Sequence, residues 1–409
     1  MQLTRLAPVV LVSLLSACAL APFGEKPLEP QAVAQADAAV QKFIDTEQMP
    51  GGVLWIERAG VSHHRAFGVK AAGGAEPVTE DTVFDAASLT KATVTATLVQ
   101  RLRERGLLDM EAPLSTYLPG CGTADFARIT LRQLLTHSSG LPPDLRASDP
   151  FMSGPDPVFV QLPESERRAR IDAALARASV QPLEAAPGTH FRYSDLNFVL
   201  LGEILARVSG KPLQELAKTE IFEPLGMKHS AYLPLQSGVS RSDIAPTGLA
   251  GPTHETLLRG EVHDPTARRM GGVAGHAGLF TTATDLARLA RMLLNDGVSD
   301  EGRRYLSHES IVLLETPQSP PGVADLRSLG WDIATPFSRP RGSLYPVGKS
   351  FGHTGFTGCS FWLDPGSRSF YILMANRVNE PHPTNTLPLY AELGTLAAQA
   401  AGLKSAGSE

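Results

Sequence analysis

Cysteine is nearly absent from this chain, which has three cysteines in 409 residues. No two of them form a Cys-x-x-Cys pair, so the sequence gives no support to a zinc finger or a thiol redox centre. Cys121 and Cys359 lie far apart in the sequence. A disulfide between them is possible in an oxidising compartment, although isolated cysteines are more often unpaired small apolar residues. The sequence leaves that pairing open.

Long runs of one charge are also missing. The net charge is −5, and acidic and basic residues are mixed along the chain. There is no basic stripe that would favour nucleic acid binding, no acidic tail and no visible repeat. His-Glu-x-x-His is absent too, so His263, Asp264 and His276 are weak candidates for metal ligands. We therefore expect no cofactor, no bound metal and no nucleic acid partner. We infer no obligate protein partner.

An apolar run close to the N-terminus is too short to span a membrane. Arg5 precedes the run Leu6–Leu15, and Leu15-Ser16-Ala17-Cys18 follows. This layout predicts a signal peptide over residues 1–17. Because the last four residues resemble a bacterial lipoprotein box, we expect lipidation of Cys18 and a tether over residues 18–34. Ala19 after the cysteine resembles outer-membrane sorting. An ordinary secretory signal cleaved near Ala21 is the alternative.

Ser88-Leu89-Thr90-Lys91 is the most informative pattern of the chain. It is the only Ser-x-x-Lys in the sequence, and it opens a segment with helical features. On a helix, this spacing puts the hydroxyl and the amine on one face, as a serine nucleophile with a nearby base requires. The alternative is an N-capping serine followed by a solvated lysine. That alternative fits poorly, because a lysine in the first turn opposes the helix dipole.

Two further patterns follow in a recognisable order. Tyr193-Ser194-Asp195 and His353-Thr354-Gly355 lie downstream of the Ser-x-x-Lys, an order that serine β-lactamases and penicillin-binding proteins share. From about residue 35 to about residue 400, the chain resembles the serine β-lactamase-like family of class C β-lactamases, D,D-peptidases and related esterases. Residues 130–141 and 271–280 also look like family segments, and the likeness is strongest to penicillin-binding proteins of D,D-carboxypeptidase type.

The resemblance implies a catalytic group made of Ser88, Lys91 and Tyr193. Ser88 would be the nucleophile, and the other two would share its proton, with the identity of the base left open. The backbone N–H groups of Ser88 and Phe356 would form the oxyanion hole.

Substrate binding is expected from four residues, Asp195, His353, Thr354 and Gly355. Two of them depart from the family pattern. Many relatives carry asparagine at Asp195, and an aspartate there could hold Lys91 in its charged form. Many β-lactamases carry lysine at His353. Histidine has an ordinary pKa near ~6.5, so we expect anionic substrates to bind better as the pH falls. We expect Gly355 and Gly358 to let the backbone approach the substrate.

The coarse secondary structure places strands at both ends of the chain and helices between them. The predicted elements are helices over residues 31–48, 197–208, 284–294 and 387–400, and strands over 51–58, 62–69, 330–334, 358–363 and 370–375. This order indicates an α+β fold. The resemblance implies a β-lactamase/transpeptidase-like fold, with an antiparallel sheet flanked by N- and C-terminal helices. We expect a sheet lobe over 35–86 and 327–409 and a mainly helical inserted lobe over 87–326.

These observations predict a periplasmic, lipid-anchored serine hydrolase that works through an acyl-enzyme. The expected substrates are cell-wall peptides that end in a D-amino acid. An esterase of small acyl esters and a β-lactamase are the alternatives. A further alternative, of another class, is an inactive wall-binding or penicillin-sensing lipoprotein.

Overall fold

The computed structural model describes residues 26–153, 162–250, 256–378 and 384–404. The strands in these residues are β1 Gly51–Arg58, β2 Val61–Gly68, β3 Phe84–Asp85, β4 Gly248–Ala250, β5 Thr256–Leu258, β6 Phe280–Thr281, β7 Leu326–Arg327, β8 Asp332–Ala334, β9 Phe351–Gly355, β10 Cys359–Asp364 and β11 Ser369–Ala375.

Helices are more numerous than strands in the same residues. The α-helices are α1 Pro30–Asp45, α2 Thr97–Glu104, α3 Leu114–Tyr117, α4 Ala124–Ala127, α5 Leu131–Leu135, α6 Glu164–Ala178, α7 Asp195–Ser209, α8 Leu213–Ala217, α9 Pro265–Arg269, α10 Ala283–Leu294, α11 His308–Glu315 and α12 Leu387–Ala400. Two π-helical turns, Lys91–Ala96 and Lys218–Phe222, continue into or from neighbouring helices, and Arg241–Asp243 and Arg339–Arg341 are 3₁₀ turns. None of the described helices is long and apolar enough to cross a membrane.

One antiparallel sheet organises the fold. Within the described residues it has seven strands in the order β2-β1-β11-β10-β9-β8-β7. Its inner strands β1, β10 and β11 are almost completely buried because both faces are covered. Along β1, Val53 and Trp55 pack into the core shared with the helical region, whereas Leu54 and Ile56 face the layer that contains α1 and α12. The alternation follows from the two-residue period of a strand. The fold is therefore the predicted α+β fold, with a sheet flanked by N- and C-terminal helices.

Helices fill most of the chain between β2 and β7. The predicted helical region also contains two short antiparallel strand pairs, β3 with β6 and β4 with β5. The pairing of Phe84–Asp85 with Phe280–Thr281 corrects one boundary, because residues 84–85 join the helical region and not the large sheet. Leu326 and Arg327 form an edge strand of the large sheet, next to β8.

The predicted tether over residues 18–34 is too long. Leu28 is buried, the Glu29 N–H donates to the Ala400 carbonyl at 2.9 Å, and α1 begins at Pro30. A segment that packs on the sheet lobe in this way is part of the folded domain. The predicted signal peptide and Cys18 lie outside the described residues. Cys121 and Cys359 do not form a disulfide.

Candidate active site

Ser88 stands directly after β3, at the start of a helical segment. Ala87 adopts a left-handed conformation with φ of 46°, which is costly for a residue with a Cβ. The Asp85 carboxylate offsets that cost by accepting the Ala87 N–H at 2.9 Å. Helical turns begin at Leu89 and Thr90, whose N–H groups donate to the Ala86 and Ala87 carbonyls. The chain therefore bends sharply at the predicted nucleophile, which lies in the first turn as the sequence predicted.

Lys91 lies one turn further on, in the π-helical turn, and its side chain is completely buried. Its Nζ donates to Ser88 Oγ at 2.9 Å and to the His276 carbonyl at 3.0 Å. The same Nζ lies 2.6 Å from Asp195 Oδ1, so ammonium and carboxylate form an ion pair. Three oxygen partners hold a buried ammonium against the predicted nucleophile.

Electrostatics keep this ammonium charged. Burial lowers the pKa of Lys91, but the attraction of Asp195 and Tyr193 outweighs it, so the pKa stands above the ordinary value. This is the effect that the sequence predicted for an aspartate at position 195. A lysine in this state is a poor proton acceptor and a good stabiliser of a neighbouring anion.

Tyr193 lies on the other side of the same ammonium, with its ring centroid 5.3 Å from Lys91 Nζ. The His137 imidazole stacks on the Tyr193 ring at 4.4 Å, with 30° between the planes. His137 Nδ1 accepts the Ser194 N–H at 3.1 Å and lies 3.0 Å from Asn197 Nδ2. Burial, and then the charges of Arg327 and Lys91, hold the pKa of His137 well below its ordinary value. A neutral imidazole therefore fixes the tyrosine in place.

Strand β9 brings His353, Thr354 and Gly355 to the same point. A Cβ on Gly355 would lie 2.5 Å from the Ala86 carbonyl oxygen, and Thr357 Oγ1 donates to the Asp85 carbonyl at 2.7 Å. The turn after β9 is thus fastened to the segment that precedes Ser88. The lack of a side chain at Gly355 permits this close contact between backbones.

Gly358 has a similar purpose. Its φ is +126°, and a Cβ there would lie 2.9 Å from the Ala375 carbonyl oxygen and from the Arg377 N. The turn therefore packs closely on the end of β11. In the described residues, the N–H groups of Ser88 and Phe356 have no hydrogen-bond acceptor within the protein. Both are free to donate to a substrate oxyanion, as the predicted oxyanion hole requires.

His353 is neutral, contrary to the expectation that it titrates near pH 6.5. Burial lowers the pKa of His353 well below its ordinary value, and the charges of Arg327 and Lys91 add to the effect. Its Nδ1 lies 2.8 Å from the Thr354 carbonyl, so Nδ1 carries the proton and Nε2 keeps a lone pair. The lysine that many β-lactamases carry at this position has no charged equivalent here.

A cleft of about 320 Å³ opens over these residues. Its lining includes six residues that were predicted for the site: Ser88, Tyr193, His353, Thr354, Gly355 and Phe356. Lys91 contacts the lining residue Ser88, and Asp195 contacts Lys91. The structure thus brings all of the sequence-predicted site residues of the described chain to one place. Cys18 lies outside the described residues.

Sequence reasoning missed three residues that the structure brings to the site: His137, Arg327 and Arg377. Arg377 lines the cleft, its Nε donates to the Phe356 carbonyl at 2.6 Å, and its guanidinium lies 4.4 Å from the centre of the Phe356 ring. Arg327 also lines the cleft and is completely buried. His137 lies within residues 130–141, and the likeness of this stretch to a family segment was the signal available.

His276 lies behind the site and is absent from the lining of the cleft. Its carbonyl holds Lys91, its imidazole is completely buried, and Nε2 lies 2.8 Å from Asp264 Oδ1. His263 stacks on the Phe356 ring at 5.5 Å. Asn197 lies in α7 and reaches His137 and Ser139, not Lys91. Each of these polar groups thus has a structural partner of its own.

The arrangement of Ser88, Lys91 and Tyr193 agrees with the comparison with known families. The sequence profile described as Beta-lactamase matches residues 36–395. The chain belongs to the beta-lactamase family. It is a serine hydrolase, which agrees with the names of its relatives in this family.

Proteins similar to this chain carry different activities in their names. A protein of Salmonella enteritidis PT4 named "Putative D-alanyl-D-alanine carboxypeptidase" is 30% identical over 413 residues, covering 93% of this chain and 92% of that protein. Two solved structures have a TM-score of 0.68: a class C beta-lactamase, 19% identical over 90% of this chain and 96% of its own, and the hydrolase EstCE1, 21% identical over 90% and 99%. At these identities the two structures support the fold alone.

Proposed function

We propose that this protein is a D,D-carboxypeptidase-like hydrolase that removes the C-terminal D-amino acid from cell-wall peptides through an acyl-enzyme on Ser88. The observation that carries the proposal is the 2.9 Å contact between Lys91 Nζ and Ser88 Oγ at the floor of an open cleft. A hydroxyl activated in this way is the nucleophile that acyl transfer needs.

The reaction follows from the positions of these groups. Ser88 Oγ attacks the substrate carbonyl and passes its proton to Tyr193, while Lys91 stays charged and stabilises the phenolate. The N–H groups of Ser88 and Phe356 donate to the oxyanion. Tyr193 returns the proton to the leaving amine, and the acyl group stays on Ser88. Water then attacks the acyl carbon and passes a proton to Tyr193, which gives that proton to the departing Ser88 Oγ. The peptide leaves as its carboxylate, and its remaining proton goes to solvent.

Two findings support a peptide that ends in a carboxylate. Arg377 lines the cleft, and in the described residues its Nε and Nη1 donate to the Phe356 and Thr384 carbonyls. A guanidinium is well suited to bind a carboxylate. The name of the Salmonella enteritidis relative points to the same substrate class.

An esterase is the second candidate, because the cleft has an apolar rim. Phe337, Phe356 and Leu387 line the cleft and are 47%, 52% and 38% exposed, which is uncommon for side chains of this size. Neutral His353 also provides no positive charge for an anionic substrate. Both features would suit a neutral ester with an apolar group.

One experiment separates the two candidates. The purified wild type and the Ser88→Ala variant are incubated with a D-alanyl-D-alanine-terminated pentapeptide and with a p-nitrophenyl ester, and the release of D-alanine and of nitrophenol is measured. Ser88-dependent release of D-alanine supports the carboxypeptidase. Release of nitrophenol without any release of D-alanine supports the esterase and overturns the first proposal.

We further propose that the enzyme works in the periplasm, held to the outer membrane by a lipid on Cys18. The proposal is supported by Leu15-Ser16-Ala17-Cys18 at the end of the apolar run. Palmitate labelling and fractionation of wild type and Cys18→Ala test it. The proposal requires both the label and the membrane association to be lost in the variant. The proposal would be overturned if neither protein took up palmitate and Cys18→Ala stayed in the membrane fraction as the wild type does.

A further inference from the structure

Arg327 is a buried cation in the lining of the cleft, and the proposed acylation mechanism does not use it. It ends the short edge strand β7, its side chain is completely buried, and it belongs to the lining of the cleft together with Ser88, Tyr193 and His353. Burying a guanidinium costs free energy unless hydrogen bonds and an opposite charge compensate it. The hydrogen bonds and opposite charges around Arg327 therefore indicate whether its guanidinium is purely structural or acts on the site.

That compensation is incomplete. Nη2 donates to the Gly330 carbonyl at 3.1 Å, and Nη1 lies 3.7 Å from Asp332 Oδ1, which is longer than a hydrogen bond. Among the described residues, Nε and Nη1 find no hydrogen-bond acceptor. Asp332 itself is occupied, because its two carboxylate oxygens accept the Thr335 and Ser338 hydroxyls. Asp332 therefore compensates the charge of Arg327 without taking up its Nε and Nη1 hydrogen-bond donors.

Arg327 shares the lining of the cleft with two aromatic side chains of the site, Tyr193 and His353. Tyr193 interacts electrostatically with Arg327, and the charge of Arg327 acts on His353 and His137 as well. Burial lowers the pKa of Arg327, and Asp332 and Tyr193 counteract this shift. A guanidinium stays protonated in proteins, so the charge is permanent. By contrast, His353 at the position of the usual lysine is neutral.

We propose that Arg327 is a positioning residue that provides, from beneath the cleft, the fixed positive charge stabilising the Tyr193 phenolate during acylation, in place of a lysine at position 353. The inference rests on the proposed acylation of Ser88. Arg327 neither gives nor takes a proton. Because its guanidinium is inaccessible, it acts through Tyr193 and does not touch the substrate.

Several charged or titratable groups surround Tyr193, and each contributes to the pH profile of acylation. They come from different parts of the chain and comprise Lys91, Asp195, His137, His353, Arg327 and, behind Arg327, Asp332. Of the cations, Lys91 is bonded to Asp195 and Ser88, whereas Arg327 has unused N–H groups. Removing the charge of Arg327 should therefore change how readily Tyr193 takes the Ser88 proton.

The test measures the rate of Ser88 acylation by a neutral activated ester between pH 5 and pH 10. The variants are Arg327→Met, Arg327→Gln, and Arg327→Met combined with His353→Lys, which restores a cation on the other side of Tyr193. Arg341→Met is the control. Arg341 is also attracted by Asp332, but it donates to the Ile333 carbonyl and is absent from the lining of the cleft. Thermal unfolding of each variant shows whether it is folded, and Arg327→Gln replaces Arg327→Met if the latter is not.

We expect the rising part of the profile to move up by about one to two pH units in Arg327→Met and Arg327→Gln, which is roughly a 10- to 100-fold lower rate at pH 7. The double variant should recover most of that rate, and the control should match the wild type. A merely structural role would lower the rate equally at every pH, without recovery by lysine. That result, or an unchanged profile, overturns the inference. Wild type that is not acylated at any pH refutes instead the proposed function.

Discussion

Lys91 Nζ lies 2.6 Å from Asp195 Oδ1, and the lysine side chain in this ion pair is completely buried. In the proposed mechanism, this ion pair determines whether Lys91 or Tyr193 accepts the proton of Ser88. Asp195 helps to raise the pKa of Lys91, so the amine stays protonated while Ser88 attacks. Tyr193 then remains as the proton acceptor in the proposed mechanism. Where relatives carry asparagine, this constraint on the lysine is absent.

A double-mutant cycle between Asp195 and Tyr193 tests this division of roles. Tyr193→Phe should lower the rate of Ser88 acylation roughly 100-fold or more in the wild-type background, as expected for loss of a general base. In Asp195→Asn, Lys91 loses its carboxylate partner and can lose its proton, so Tyr193→Phe should cost much less. The measurement is the acylation rate of the four proteins with one activated ester at pH 8. Independent effects that simply multiply would contradict the account.

The neutral His353 leads to a prediction opposite to that of the sequence. Because burial, Arg327 and Lys91 hold the pKa of His353 well below 6.5, this residue should not change its charge between pH 5.5 and pH 8. Acylation by an anionic penicillin and by a neutral ester should therefore follow pH profiles of the same shape. His353→Lys should accelerate acylation by the penicillin about 10-fold more than acylation by the ester, because only the penicillin has a carboxylate to pair with the new cation. A wild-type penicillin rate that rises alone below pH 6.5 would show that His353 does titrate.

The pair of Asp264 and His276 should make stability depend on pH. Burial lowers the pKa of His276, but Asp264 outweighs it, so the folded-state pKa is raised. The stability gained from His276 is thus complete below about pH 6.5 and is lost as the pH rises through the folded-state pKa. Burial raises the pKa of Asp264, but the charge of His276 outweighs this effect, so the folded-state pKa of Asp264 is lowered. The stability gained from Asp264 is therefore present above about pH 4 and is lost as the pH falls through the folded-state pKa.

Asp264→Asn removes the charge and keeps an N-cap for α9, where the side chain accepts the Ala267 N–H at 2.7 Å. We expect the variant to lose about 3 kcal/mol in the free energy of unfolding between pH 4 and pH 6.5, and less at pH 9. Denaturant unfolding at several pH values measures this. A loss that is the same at every pH would mean that the pair is not ionic.

The close packing of Gly355 on Ala86 gives a prediction about catalysis. Gly355→Ala would place a Cβ 2.5 Å from the Ala86 carbonyl oxygen, so the strand must shift relative to Ser88. Because the Phe356 N–H moves with the strand, we expect acylation to slow by about 100-fold. Gly366→Ala is the control, since its Cβ would lie 3.6 Å from Asp364 Oδ1. Equal activity of the two variants would argue against a strand fixed by this contact.

Elements with strong local signals could be predicted from the sequence. The helix over residues 387–400 matches α12, and Thr282 caps α10 by accepting the Asp285 N–H. Strand β9 was not predicted, because Phe351-Gly352-His353-Thr354-Gly355 contains two glycines and has no apolar alternation. Its place in the sheet comes from pairing with β10, a contact made by tertiary structure.

The site was predictable where residues belong to recognisable patterns. Ser88, Lys91 and Tyr193 could be named because their order and spacing are characteristic. Arg327 lies in an ordinary stretch, Leu326-Arg327-Ser328, and its place in the lining of the cleft depends on how β7 joins the sheet edge. The neutrality of His353 also depends on neighbours from distant segments, so a sequence-based estimate started from the ordinary pKa and was wrong.

The most direct test of the account is to find where an acyl group is attached. Wild type and Ser88→Ala are exposed to a penicillin and to an activated ester, quenched within seconds, and mapped by peptide mass spectrometry. The account predicts one acyl adduct on Ser88 in the wild type. It also predicts no adduct, and turnover lower by several orders of magnitude, in a Ser88→Ala protein that unfolds at the same temperature. An adduct on another residue, or turnover by Ser88→Ala above a few per cent of wild type, would contradict it.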